Sequence, residues 1–138
     1  MTIARDDSLS RPSGVGKEQR ILIVEDDFLI AADAQSALRE AGFEVVGIAA
    51  SADEATDLVS ARQPALAIMD IRLTGRRDGI DLALELFQTF GLRCVFATAH
   101  IDAESQKRAV AAQPLGWLAK PYTTSSLVTL VRGVLNKP

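Results

Sequence analysis

The chain holds one cysteine, Cys94, and one histidine, His100. A lone thiol cannot form an internal disulfide, and Cys94 lies in the apolar run RCVFA, which predicts a buried, inert group suited to a reducing cytoplasm. The same scarcity argues against zinc, because a thiol and an imidazole six residues apart across a strand end match no common ligand set. Positive charge is not in excess either. Lys and Arg number 15 against 18 Asp and Glu, a net charge of −3, so nothing electrostatic favours nucleic acid or an anionic lipid surface. There is no run of ~18 apolar residues and no hydrophobic stretch of signal-peptide type, so neither a membrane span nor secretion is expected. The expected location is cytoplasmic.

What is present fits one globular domain. The 138 residues are 48% hydrophobic and 24% charged, an ordinary balance for a globular protein. A chain of that size can bury roughly 68% of the surface its unfolded form exposes. Residues 1–19, MTIARDDSLSRPSGVGKEQ, mix charges with Ser, Pro and Gly without an apolar period, which predicts a flexible leader. The GVGK within it is not a phosphate-binding loop. That pattern needs a glycine five residues before the Gly-Lys pair and Ser or Thr after it, and Arg11 and Glu18 stand in those places.

From residue 20 onward, apolar runs of strand length alternate with stretches of helical period. The runs are ILIV (21–24), EVVGIA (44–49), ALAIM (65–69), RCVFA (93–97) and GWLA (116–119). Most are apolar on consecutive residues, the pattern of parallel strands covered on both faces. Helices are expected over 27–41, with Phe28, Ile30, Ala31, Ala34, Ala37 and Leu38 as the apolar positions, then from Ser51 to an end that Pro64 follows, and over 78–90, 102–112 and 123–135. Five βα units joined by right-handed crossovers give an α/β, doubly wound parallel sheet with helices on both faces. The flavodoxin-like strand order 2-1-3-4-5 is the commonest at this size.

In such sheets the functional crevice lies at the carboxyl ends of the strands. Those ends hold Glu25, Asp26 and Asp27 after the first strand, Asp70 after the third, Thr98 after the fourth, and Lys120 and Pro121 after the fifth. If the first and third strands are neighbours, their ends lie ~5 Å apart and the acids crowd together. Like charges at ~4 Å repel by about 4 kcal/mol at an effective dielectric of 20, so the cluster requires a proton, a cationic side chain or a metal. Oxygen-only donors with few carboxylates suit Mg²⁺, which keeps part of its water shell and bridges to phosphate. With Mg²⁺ and Lys120 beside it, Asp70 can attack phosphorus to form an aspartyl phosphate, and Thr98 can donate its hydroxyl to the bound group.

The set IVEDD (23–27), MDIRL (69–73), FAT (96–98) and LAKPY (118–122) resembles the receiver domain of two-component response regulators over about residues 20–136. That resemblance implies a phosphoacceptor at Asp70, supplied by a histidine kinase or histidine phosphotransfer protein. It implies Mg²⁺ held by Glu25, Asp26, Asp70 and the backbone carbonyl of Arg72. It also implies Thr98 as the switch hydroxyl, Lys120 as the phosphate contact and Pro121 as a cis-linked proline that aims Lys120. Because the sequence stops near the fifth helix, a stand-alone receiver signalling through a downstream protein target is expected, with the fourth helix, fifth strand and fifth helix as partner or homodimer face.

Some positions depart from the family pattern. The loop LTGRRDG lacks the Met-Pro common after the phosphoacceptor and is one residue longer than usual. Trp117 stands where the family carries Tyr, Phe or His, and a packing or interface role without active switching is expected for it. Arg72 and His100 resemble positions that tune phosphoryl lifetime in the family, but His100 is expected as a solvent-facing loop residue. Asp27 is expected as a helix cap, and Arg76 and Arg77 as a solvated loop. Three alternatives stand beside the switch: a phosphate sink or phosphorylation-independent scaffold, a small aspartyl-phosphate phosphatase, and, more remotely, a flavin-binding protein. The phosphatase pattern asks for a second Asp two residues after the nucleophile, where this chain has Arg72. An enzyme acting on external substrates is therefore not expected.

Overall fold

The computed structural model describes residues 16–73 and 75–135. Most of the leader expected over 1–19 lies outside them; within it, Lys17–Gln19 form one 3₁₀ turn. Five parallel strands follow in the sheet order expected, β2-β1-β3-β4-β5. They are β1 (Arg20–Val24), β2 (Glu44–Ala49), β3 (Leu66–Asp70), β4 (Cys94–Thr98) and β5 (Gly116–Ala119).

Alternation along each strand explains the unbroken apolar runs. Ile21 and Ile23 of β1 join a core with α1 (Phe28–Glu40) and α5 (Thr124–Leu135), while Leu22 and Val24 join a second core with α2 (Ala52–Arg62) and α3 (Gly79–Phe90). Both faces of the sheet are thus dry. Ala109 and Ala112 attach α4 (Ala103–Ala109) and the 3₁₀ turn Val110–Ala112 to that second core.

Local chemistry sets the helix ends. Asp27 caps α1 by accepting from the N–H groups of Leu29 and Ile30, Ser51 caps α2, and Gly91 ends α3 in the left-handed region at φ +72°. The fourth helix differs from the expected single stretch over 102–112. It tightens into a 3₁₀ turn and stops at Gln113 (φ +51°), because Pro114 disfavours helical backbone in the residue before it.

Phe28 also departs from expectation. The buried stripe of α1 is Ala31, Ala34 and Leu38, whereas Phe28 and Leu29 are 73% and 74% exposed. Their turn lies level with the strand ends, where no sheet remains for it to cover.

Candidate functional site

Strand register builds the site. Val24 of β1 lies opposite Met69 of β3, so Glu25 and Asp70 leave the sheet side by side. Asp70 pairs in turn with Ala97, which puts Thr98 at the same rim, and Thr98 lies opposite Ala119, the residue before Lys120. The Lys120 N–H donates to the Thr98 carbonyl at 2.8 Å, and the Lys120–Pro121 peptide bond is cis.

Three carboxylates converge there. Glu25, Asp26 and Asp70 each offer an oxygen within 4.8 Å of the others, with Glu25 and Asp70 buried and Asp26 exposed. The Lys120 ammonium enters this cluster, 2.6 Å from Glu25 Oε1 and 3.3 Å from Asp70 Oδ2. The remaining oxygens meet backbone donors: Glu25 Oε2 accepts from the Asp27 N–H at 3.1 Å, and Asp70 Oδ1 from the Arg72 N–H at 3.1 Å.

The ionisation of these groups follows from burial and pairing. Burial pushes the Glu25 carboxyl above its usual range; hydrogen bonds from Lys120 and the Asp27 backbone oppose the rise, and the neighbouring Asp70 adds to it. Burial alone would lower Lys120, but its hydrogen bond to Glu25 and the charge of Asp70 outweigh that and hold the ammonium above its usual value. One lysine among three carboxylates leaves an excess of negative charge. The donor set is oxygen only and includes an exposed member, which fits a hard, partly hydrated cation such as Mg²⁺.

The other expected residues take particular positions. Thr98 is buried, and its hydroxyl engages the backbone of His100, with 3.3 Å to the N–H and 3.4 Å to the carbonyl. Arg72 is exposed and contributes its N–H to Asp70. Trp117 packs against Phe96 of β4, ring centroids 4.8 Å apart and tilted by 32°, so its indole belongs to the second core. Arg77 is not simply solvated. It pairs with Glu85 of α3 and, at 3.2 Å, with Asp53 of α2, tying the loop after β3 to both helices. Cys94 is fully enclosed, and burial pushes its thiol up to about 12, consistent with an inert role.

Two features escaped sequence reasoning. A groove of about 320 Å³ runs beside the acids, lined by Ile30 and Asp33 of α1, Ala99, and Lys120, Pro121 and Tyr122. Its lining comes from segments far apart in the chain, so no local pattern announces it. The second is a capping box at the start of α3, in which Asp78 and Asp81 exchange side-chain and backbone hydrogen bonds. Its Asp-x-x-Asp form differs from the usual Ser or Thr followed by Glu or Gln.

Comparison with known proteins adds an independent line. The family model described as the response regulator receiver domain matches residues 21–132. The transcriptional regulatory protein PdtaR of Mycobacterium tuberculosis is 38% identical over 113 residues, which are 82% of this chain and 55% of PdtaR. The phyllosphere-induced regulator PhyR of Methylorubrum extorquens is 28% identical over 130 residues, 94% of this chain and 48% of PhyR. The chain therefore spans about half the length of these curated relatives. Among solved structures, a CheY-like receiver domain protein of Methanospirillum hungatei matches with a TM-score of 0.78 at 27% identity, covering 86% of this chain and 94% of that one.

Proposed function

The chain belongs to the response regulator receiver domain family, and from that premise we propose that Asp70 accepts a phosphoryl group from a histidine kinase or histidine phosphotransfer protein and that the resulting change alters protein binding. The observation that carries this reading is the convergence of Glu25, Asp26 and Asp70 within 4.8 Å, with Lys120 reaching two of them.

In the proposed step an Asp70 oxygen attacks phosphorus in line with the P–N bond of a phosphohistidine. The P–O bond forms as the P–N bond breaks, and the imidazole leaves with the electron pair. Glu25, Asp26, Asp70 and the Arg72 carbonyl would hold Mg²⁺, whose charge offsets that of the phosphoryl oxygens. Lys120 stays protonated through the reaction, exchanging part of its contact with Glu25 for the phosphoryl group. The Arg72 N–H fixes one Asp70 oxygen and leaves the other to react. Thr98 turns its hydroxyl from the His100 backbone to the new group.

Surface chemistry supports protein partners at both stages. Phe28 and Leu29 stand exposed in the first turn of α1, directly after Glu25, Asp26 and Asp27 in the chain, and offer an apolar landing for the donor. Ile101 and Val110, 41% and 66% exposed at the two ends of α4, offer apolar contacts for a downstream target or a second copy. No helix among the described residues is long and apolar enough to cross a membrane, and we place the protein in the cytoplasm with its donor. The protein acts as a phosphoacceptor and not as a catalyst on external substrates.

Incubation with acetyl phosphate, read by intact mass, tests the proposal. One phosphoryl group should add in the presence of Mg²⁺ and none in its absence or in Asp70→Asn. Equal uptake by the Asp70→Asn variant would contradict it.

A further inference from the structure

Helix α4 is the least anchored of the five. Only Ala109 is buried within its seven residues, and a helix that short has little stability of its own. Ala112 adds one more small contact from the following 3₁₀ turn. Neither methyl group can fix the helix against sliding or rotation.

Arg108 supplies what is missing. Its Nη1 and Nη2 donate to the two oxygens of Asp78 at 3.0 and 3.2 Å, and Nη2 also reaches Asp81 Oδ1 at 3.3 Å. A two-pronged guanidinium–carboxylate pair fixes orientation as well as distance. Its acceptors are themselves held, because Asp78 Oδ1 accepts from the Asp81 N–H at 2.9 Å and Asp81 Oδ2 from the Asp78 N–H at 3.3 Å. The fork therefore grips a rigid helix start.

That helix start abuts the phosphoacceptor. Gly79, next to Asp78, donates its N–H to the Ile71 carbonyl at 2.6 Å. Its approach is so close that a Cβ there would stand 2.0 Å from the Asp70 carbonyl oxygen and 2.7 Å from the Ile71 Cα. Direct contacts thus run from the Asp70 backbone through Gly79 and Asp78 to Arg108. We propose that Arg108 fastens α4 to the capping box of α3, and that through this fastening a displacement of the Asp70–Ile71 backbone is transmitted to α4. The transmission half rests on Asp70 being the phosphoacceptor; the fastening half does not.

Exposed ion pairs contribute little to global stability, so the effect of removing Arg108 falls mainly on α4. Amide hydrogen exchange of the full chain, with and without beryllofluoride and Mg²⁺, reads this directly in wild type, Arg108→Ala and Arg108→Lys. In the free protein, exchange over 103–112 is expected to be at least about threefold faster in Arg108→Ala, with partial recovery in Arg108→Lys and at most a small drop in the urea midpoint. With the mimic, wild type responds over 70–79 and over 103–112, whereas Arg108→Ala responds over 70–79 alone. Equal exchange of α4 in free wild type and Arg108→Ala overturns the fastening. An equal response of α4 to the mimic in both overturns the transmission. A wild type that ignores the mimic over 70–79 overturns the phosphoacceptor reading and the transmission with it, while the free-protein comparison decides the fastening independently.

Discussion

Asp78 shows how one side chain ties stability to pH. Burial alone would raise its carboxyl, but hydrogen bonds from Arg108 and the Asp81 backbone outweigh that and hold it below the usual aspartate range. A carboxyl lowered on folding contributes stability above its unfolded value of about 4 and loses it as pH falls through the folded value. The stability gap between wild type and Asp78→Asn should therefore be full near neutral pH and shrink below about pH 4. Urea denaturation at several pH values measures the gap, and a constant gap contradicts the assignment. Nothing in the sequence marks this pair. Arg108 is one of 15 basic residues, its partner lies thirty positions away, and only the folded packing of α4 on α3 brings them together. Asp27 was legible as a cap because capping is local. Phe28 was misplaced because periodicity reports a helix face without reporting where the sheet beneath it ends.

At the scale of elements, the strands were legible for a physical reason: the three central ones, β1, β3 and β4, are buried on both faces, so each reads as a compact apolar run. Their ends moved by at most one residue, as with Asp70 and Thr98, which the sheet includes within β3 and β4. The helices differ in how deeply they are committed to the core. Leu127 of α5 is fully buried between its helix and the sheet, whereas Val110 at the end of α4 is 66% exposed. Leu127→Ala should cost about 2–5 kcal/mol of unfolding free energy. Val110→Ala should stay within about 0.5 kcal/mol. Chemical denaturation of the two variants checks the contrast, and a large loss from Val110→Ala would mean that α4 carries core packing not visible in its burial. Gln113 and Pro114 explain where the fourth helical stretch ends: the sequence places its end at Ala112, and the structure reaches Ala112 with the last three residues as a 3₁₀ turn.

At the scale of the whole molecule, strand order does the chemical work. Placing β1 between β2 and β3 sets Glu25 beside Asp70, and the turn after β5 brings Lys120 to both, although 95 residues separate Lys120 from Glu25. The acids were legible as a site because the expected order put their strands side by side. The distribution of Lys120 was not, since its shorter contact is to Glu25 and its longer one to Asp70. Excess negative charge at the rim makes the folded state a better cation ligand than the unfolded chain. Mg²⁺ at about 100 times its dissociation constant should add about 2.7 kcal/mol of stability. The rise in thermal midpoint should largely disappear in Asp26→Asn, and equal rises in the two proteins would remove Asp26 from the metal site.

The central claim is that the fold singles out one carboxylate of this cluster to receive phosphorus. Borohydride reduction of the acyl phosphate, followed by peptide mapping, identifies the residue that carried it. The account predicts a reduced product at position 70 and nowhere else; a product at Asp26 or Asp27, with Asp70 intact, would contradict it.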